Sequence, residues 1–406
     1  DLRREGLQDA FKLLHFHIGS QVTNIKTIKD AVKEGSRIYS KLRKMGLNLE
    51  YLDVGGGLGV DYDGSRTSFD SSINYSLQEY VSDVVYSIKE ICEAEEVPTP
   101  NIVSESGRAL VAHHSVLLVN CFGNIAVGAT PMELAETPDE DDVVKEMRYL
   151  KQNLSQKNLL EHFHDAVQRK EEALSMFKLG FLSLEDKAKV EQIFWQICKV
   201  IHKNAQGLKY VPDEVEALGK ALADQYLCNF SLFQSMPDHW AIQHLFPIVP
   251  IHRHDEQPVR DATLVDITCD SDGKVCKFID LRDIKDTLPL HALKNEPYYL
   301  GFFLMGAYQD IMGDLHNLFG RVNEAHVFLD PDEDSGFYIE ETINGHTISQ
   351  VLELTEYYPN DLLRSMKEQI NLAIKEDRLK PNEGMRLLAE YEKGLSDRTY
   401  LAVPAK

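Results

Sequence analysis

The sequence predicts an α/β protein: part of a (β/α)8 TIM-type barrel, joined to an all-α insert, a C-terminal β-domain and a helical tail. Three observations predict it. Apolar strand-like runs and amphipathic helical stripes alternate from Leu13 to about Asn120. His17-Ile18-Gly19-Ser20, Asp53-Val54-Gly55-Gly56-Gly57-Leu58-Gly59 and Glu105-Ser106-Gly107-Arg108 each stand where an apolar run gives way to a turn. In a parallel βα fold such turns converge on one rim, where a single phosphorylated ligand is within reach of all three. After Thr137 the composition becomes acidic and then helical, which ends the barrel pattern.

Over residues 13–18, Leu14, Phe16 and Ile18 alternate with Leu13, His15 and His17, so one face packs on helices and the two histidines point the other way. Ile25, Ile28, Val32, Ile38, Leu42 and Met45 recur at helical spacing, with Gly46 placed to cap the helix end. Residues 49–54 read as the second strand. Leu77, Val81, Val84, Ile88 and Ile91 stripe the second helix, and residues 102–105 are the third strand. Right-handed strand–helix–strand crossovers give a parallel sheet, and signals after successive strands favour a barrel over a single Rossmann turn. Residues 1–125 are assigned to this barrel part.

Residues 126–226 form the insert. The linker Thr137-Pro138-Asp139-Glu140-Asp141-Asp142 leads into helices marked by Leu159, Phe163, Val167 and Leu174, then by Val190, Phe194, Ile197 and Ile201. His162 and His164, two residues apart, do not share a helix face and read as surface residues rather than a metal pair. Residues 227–350 are β-rich, with strands over 263–269, 275–280, 299–308 and 325–329 and a tight turn at Ser271-Asp272-Gly273. Residues 351–406 are helical again, with Asn360 as an N-cap and Gly394 as a stop.

With 406 residues and 43% hydrophobic content, the chain has material for a large core and two or three domains. Its formal charge of −22 disfavours nucleic acid or an anionic membrane and mildly favours a cationic substrate. No apolar stretch approaches the ~18 residues of a membrane span. Six cysteines without a C-x-x-C pair fit a reducing cytoplasm better than a disulfide scaffold or a structural zinc site. Asp1 is not an initiator Met, and a short charged segment leads straight into the first strand, so the chain reads as a fragment lacking its natural N-terminal part.

Three adjacent glycines let the backbone turn bare N–H groups toward an anion, although a plain tight turn uses the same residues. Arg108 adds a planar fork suited to phosphate and Ser20 a hydroxyl donor. Glu105 has the sharper chemistry: a carboxylate beside a pyridine nitrogen keeps that nitrogen protonated and the ring electron-withdrawing. An ion pair between Glu105 and Arg108 is the bland alternative. In Asp266-Ile267-Thr268-Cys269-Asp270-Ser271-Asp272-Gly273, Cys269 is a candidate proton donor and Asp270 a candidate anchor for a cation; the string lacks the full EF-hand pattern.

The chain resembles the pyridoxal-phosphate-dependent decarboxylases of the alanine-racemase-like fold, and within them the bacterial biosynthetic arginine decarboxylases. The strings LLHFHIGSQ, DVGGGLGVDY, SESGRA, NFSLFQSMPD, DITCDSDG and GFFLMGAYQDIMGDLHNLFG carry the resemblance and spread from residue 13 to 320. It implies decarboxylation of L-arginine to agmatine and CO2 in putrescine and spermidine biosynthesis. The alternatives are an ornithine or diaminopimelate decarboxylase of the same fold and a non-catalytic regulatory homologue.

The resemblance further implies that pyridoxal 5'-phosphate is held by His17 on its ring face, by Glu105 at its nitrogen, and by Ser20, Gly55, Gly56, Gly57, Gly107, Arg108 and Tyr308 at its phosphate. His17, Glu105 and Cys269 are the implied catalytic residues. Asp270 and the run Leu52, Asp53, Val54, Gly55, Gly56, Gly57, Leu58, Gly59, Val60, Asp61 and Tyr62 are implied to contact substrate. A homodimer or homotetramer with shared active sites is implied, Cys269 and Asp270 reaching across the interface, and the family is associated with Mg2+, though no metal ligands stand out. Two departures from the pattern stand out. The family's Schiff-base lysine lies upstream of Asp1, so this chain alone is expected to be inactive. Phe230 stands where ornithine-specific relatives carry an aspartate, which leaves Asp238 and Asp314 as candidates for the guanidinium.

Overall fold

The computed structural model describes residues 1–127, 136–155, 158–205, 211–280 and 284–402. Three short parallel strands, β1 (Leu13–His15), β2 (Tyr51–Asp53) and β3 (Asn101–Val103), lie side by side in that order, with Leu14 opposite Leu52 and Leu52 opposite Ile102. They alternate with α1 (Ile25–Lys44) and α2 (Leu77–Ala94), as the sequence predicts. Asn24 caps α1 by accepting the Lys26 N–H, and Ser76 caps α2 by accepting that of Glu79. Ile28, Val32 and Tyr39 of α1 and Tyr80, Val84 and Ile88 of α2 bury their stripe against Leu52 and Val54. Phe16 and Ile18 pack on the same cluster, so the face opposite the histidines is the one covered by helices.

The strands are shorter than the apolar runs because the chain leaves the ladder wherever a glycine-bearing turn begins. A five-residue helix, α3 (Gly107–Val111), follows the third of these turns. The next strand, β4 (Leu117–Ile125), falls within the stretch assigned from sequence to the barrel, yet it pairs into the second sheet. That sheet runs β11 (Leu288–Leu290), β7 (Arg260–Val265), β5 (Asp224–Cys228), β4, β12 (Tyr298–Phe302), β6 (Ile248–Pro250), with β8 (Lys274–Val275) on β7; β9 (Phe278–Ile279) and β10 (Ile284–Lys285) form a separate two-stranded ladder. Val119 and Cys121 point into its core beside Tyr226, Leu300 and Phe302, while Leu118 and Phe122 stay exposed. Sequence alternation alone does not say which sheet a strand joins.

Because β4 and β5 are antiparallel neighbours, the helical insert leaves and re-enters the sheet at one place and can pack as a unit of its own. It comprises α4 (Asp142–Gln152), α5 (Leu159–Lys178), α6 (Leu184–Ala205) and α7 (Asp213–Ala221) around Met147, Ala166, Ala173, Val190, Ile193 and Ile197. Leu174 turns outward, since α5 buries its alanines instead. His164 is exposed and pairs with Glu214 at 2.6 Å; His162, expected at the surface, is half-buried with an unpartnered Nδ1.

The strands expected over 263–269 and 299–308 are shorter: β7 ends at Val265 and β12 at Phe302, beyond which the chain forms loops and short helices. NFSLFQSMPD folds into α8 (Leu232–Ser235) and α9 (Pro237–Ile242). A further short helix, α10 (Gln309–Met312), follows Tyr308, and β13 (Glu324–Leu329) pairs with β14 (Phe337–Ile343) as a hairpin. The tail is α11 (Ile348–Leu354), α12 (Pro359–Lys375) and α13 (Pro381–Ser396). Tyr358, not Asn360, occupies the N-cap of α12, because Pro359 takes the first helical position; Gly394 lies inside α13 rather than ending it.

Three carboxylates in different parts of the fold are held at about 2, below their ordinary 4.5, by cationic partners: Glu95 by Lys44, Lys41 and Arg37, Glu140 chiefly by Arg148 and also by Lys189, and Glu256 by Arg253 and Lys294. A lowered acid contributes stability that is complete above 4.5 and is lost as pH falls toward 2. Melting followed by circular dichroism is therefore expected to fall steeply below pH 4.5. The gap between wild type and Glu140→Gln is widest near neutrality and closes toward pH 2; a gap independent of pH refutes the assignment.

Candidate active site

The three sequence signals meet at the C-terminal ends of β1, β2 and β3. Gly55 sits at φ +69°, and a Cβ there would lie 2.1 Å from the Phe16 carbonyl oxygen, so only glycine passes. Its carbonyl accepts the Glu105 N–H at 2.9 Å, which ties the third turn to the second. Gly56 donates its N–H to His17 Nδ1 at 3.1 Å, which ties the second to the first. A Cβ on Gly56 would stand 2.9 Å from the Glu105 carbonyl oxygen and 3.0 Å from His17 Cε1, so the floor between those residues is bare backbone.

One ring nitrogen of His15 and one carboxylate oxygen each of Asp53 and Glu105 lie within 4.8 Å of one another. His15 Nδ1 is 2.8 Å from Asp53 Oδ2. Arg108, three residues past Glu105 and only 9% exposed, donates from Nη1 to the Tyr62 hydroxyl at 2.8 Å, and its guanidinium carbon stands 4.8 Å from the centre of the Tyr308 ring. Its Nε is buried without a partner. Tyr308 is left-handed at φ +70°, outside any strand. Burial raises the Tyr62 hydroxyl, against the lowering pull of Arg108, so it stays a neutral acceptor there. His244 packs edge-on against Tyr62 at 4.2 Å, and burial drives it down to about 3, which leaves it uncharged beside the guanidinium.

An acid end, a bare glycine floor and a buried guanidinium with an unmet Nε fit a flat ring carrying a phosphate. Glu105, His17, Gly55, Gly56 and Gly57 are thus neighbours, and Arg108 and Tyr308 meet. Ser20 and Gly107 border the same turns, with exposed and open surroundings respectively.

The remaining expected positions fare differently. The run from Leu52 to Tyr62 cannot contact a substrate throughout. Leu52, Val54 and Leu58 belong to the barrel core and Val60 to the β-domain core; Asp61 accepts from Gly64 N and Ser72 Oγ, and Gly59 donates to the Tyr75 hydroxyl. Asp53 and Tyr62 are engaged by His15 and Arg108. Phe230 is 1% exposed against Phe302, so it is a core residue rather than a substrate contact. Asp238 is buried and accepts from Gln309 Nε2 at 2.8 Å, while Asp314 is exposed and accepts the His316 N–H.

Cys269 is exposed on a loop held from inside by Asp266, whose oxygens accept from Leu232 N and from Thr268 N and Oγ1, while Asn317 accepts the Cys269 N–H at 3.0 Å. Asp270 faces His316 at 3.6 Å. Neither has Glu105 or Arg108 among these partners. Sequence reasoning missed the pairings of Asp53 with His15 and Tyr62 with Arg108. The first was legible in the shared alternation of His15 with His17; the second, joining positions 46 residues apart, left no signal.

The pyridoxal binding domain of pyridoxal-dependent decarboxylases matches residues 3–112, the arginine decarboxylase helical bundle domain residues 137–219, and the arginine decarboxylase C-terminal helical extension residues 348–401. Fold and site therefore define the class, the pyridoxal-dependent decarboxylases. The chain is 47% identical over 402 residues to a biosynthetic arginine decarboxylase of Bacteroides thetaiotaomicron, covering 98% of this chain and 63% of that protein. It is 49% identical over 404 residues to one of Deinococcus radiodurans, covering 98% and 61%. It superimposes on the crystal structure of the biosynthetic arginine decarboxylase from Campylobacter jejuni with a TM-score of 0.84 at 33% identity, covering 99% of this chain and 65% of that one. The chain belongs to the biosynthetic arginine decarboxylase family. It spans about three fifths of the length of the curated relatives it matches.

Removing the Tyr62 hydroxyl frees Arg108 Nη1 without disturbing the ring packing. Tyr62→Phe is expected to weaken pyridoxal phosphate binding about 10-fold or more, the worth of one hydrogen bond to a charged group. Fluorescence titration of the full-length protein checks this, and an unchanged Kd refutes it.

Proposed function

We propose that the full-length protein decarboxylates L-arginine to agmatine and CO2 with pyridoxal 5'-phosphate, in the service of putrescine and spermidine synthesis. The observation that carries the reading is that the glycine turn ties Glu105 to His17, while Arg108, three residues past Glu105, is buried with its Nε unmet. Family membership over the whole chain supports arginine as the substrate. When bound, the coenzyme supplies an electron-withdrawing ring for the bond to the departing carboxylate.

This chain's own residues do the rest. Glu105 would hold the proton on the ring nitrogen and His17 would border the ring; Gly55 and Gly56, whose N–H groups already donate to Asp53 and His17, would floor it, and Arg108 with Gly57, Gly107, Ser20 and Tyr308 would fix the phosphate. Cys269 returns a proton to the α-carbon, and Asp270 orients the cationic substrate. Their exposed loop suits delivery to a neighbouring subunit in a homo-oligomer. Among the described residues no helix is long and apolar enough to cross a membrane, and the six free cysteines fit work in a reducing cytoplasm.

The test is to supply the full-length protein with pyridoxal phosphate and, separately, arginine, ornithine and diaminopimelate, and to follow amine and CO2. Agmatine from arginine in clear preference to the other two products supports the reading. Preference for another substrate, or no product from any, overturns it.

A further inference from the structure

Asp53 is a buried carboxylate whose two oxygens serve different elements. Oδ2 meets His15 Nδ1 on the neighbouring strand at 2.8 Å, and Oδ1 accepts the Gly55 N–H at 2.9 Å. That second bond holds Gly55 in the left-handed turn whose carbonyl accepts the Glu105 N–H. The backbone of Glu105 is thus set by Asp53 through Gly55. Its carboxylate is within 4.8 Å of the His15 nitrogen and the Asp53 oxygen, so the imidazole is the one hydrogen-bonding group of the trio able to stand against both acids. Without it, two carboxylates, one at the end of β2 and one just past β3, would confront each other with nothing to orient them.

The same trio has the residue types of a metal site. Asp53, however, already spends one oxygen on a backbone N–H and the other on His15, which leaves an ion few free lone pairs.

We propose that His15 and Asp53 are positioning residues for Glu105: Asp53 sets the glycine turn and clamps His15, and His15 fixes the carboxylate that faces the ring nitrogen of the cofactor. This rests on the function proposed above. An acid misaligned by even a fraction of an ångström loses its grip where charge develops, while Arg108 is held by other partners, Tyr62 and Tyr308.

The test uses the full-length protein and His15→Ala, His15→Asn, Asp53→Asn, Glu105→Ala and the Glu105→Ala/His15→Ala double variant. His15→Ala is expected to lower kcat about 10-fold or more, to change KM and the pyridoxal phosphate Kd by less than about 3-fold, and to shift the absorption maximum of the bound coenzyme. His15→Asn, whose amide still donates to Asp53, recovers part of the loss, and Asp53→Asn reproduces it. The double variant is no slower than Glu105→Ala, because both changes remove one function.

Losses that multiply in the double variant overturn the proposal, as does a loss confined to melting temperature and cofactor affinity. Activity abolished by EDTA and restored by Mn2+ or Zn2+ only when His15 is present overturns it in favour of a metal site. Wild-type protein that neither binds the coenzyme nor forms agmatine sinks the underlying function. A wild type that does both, with His15→Ala unimpaired, sinks this inference alone.

Discussion

Glu105→Ala in the full-length protein is expected to cut kcat for arginine by roughly 10²–10³-fold while pyridoxal phosphate affinity stays within about 3-fold. The asymmetry follows from where Glu105 and Arg108 get their support. The phosphate end is assigned to Arg108, buried and braced by Tyr62 and Tyr308, since the Gly55 and Gly56 N–H groups already donate to Asp53 and His17. None of these is a Glu105 side-chain contact. Glu105 would serve the electron-withdrawing chemistry that the coenzyme supplies when bound, so its removal is expected in turnover rather than in cofactor binding. The structural role of Glu105 is carried by its backbone N–H on Gly55, which alanine keeps. Single-turnover decarboxylation and a fluorescence titration on the same preparation separate the two quantities. Equal losses in both place Glu105 in cofactor binding, and near-normal turnover removes it from the mechanism.

What was legible in the sequence was whatever local chemistry enforces. The alternation of Leu14, Phe16 and Ile18 with the histidines fixed which face of the first strand meets helices, and the positive φ of Gly55 explains why three glycines stand there. Periodicity located α1, α2 and the insert helices because each buries a continuous stripe. Long-range pairing was not legible. Leu117–Ile125 reads as one more strand after a helix, and only its partners, Tyr298–Phe302 and Asp224–Cys228, place it in the second sheet. Asp224–Cys228 was hidden at the end of a helical stretch. The same limit applied to the site. Glu105 and Arg108 announce themselves by residue type, but Leu52, Val54 and Val60 sit in the same motif and are core, since alternation inside a turn-rich segment gives no reliable inside and outside.

The Cys269 loop leads to the second large effect. A proton donor placed on the α-carbon contributes on the order of 10²–10⁴-fold, so Cys269→Ala is expected to lower agmatine formation by at least about 100-fold. In a single chain the thiol is exposed, on a loop made rigid by Asp266, Asn317 and the turn closed by Gly273 N on Asp270 O. A stiff loop presenting its thiol outward is what the proposed delivery to another subunit requires. Mixing decides this. When Cys269→Ala and Glu105→Ala subunits are exchanged at equal amounts, random pairing makes half the dimers mixed, and each mixed dimer carries one site with both residues intact. Activity then returns to about a quarter of wild type from two nearly inactive parents. If each site were built from one chain, no mixed assembly would hold an intact pair, and the mixture would remain as inactive as its components.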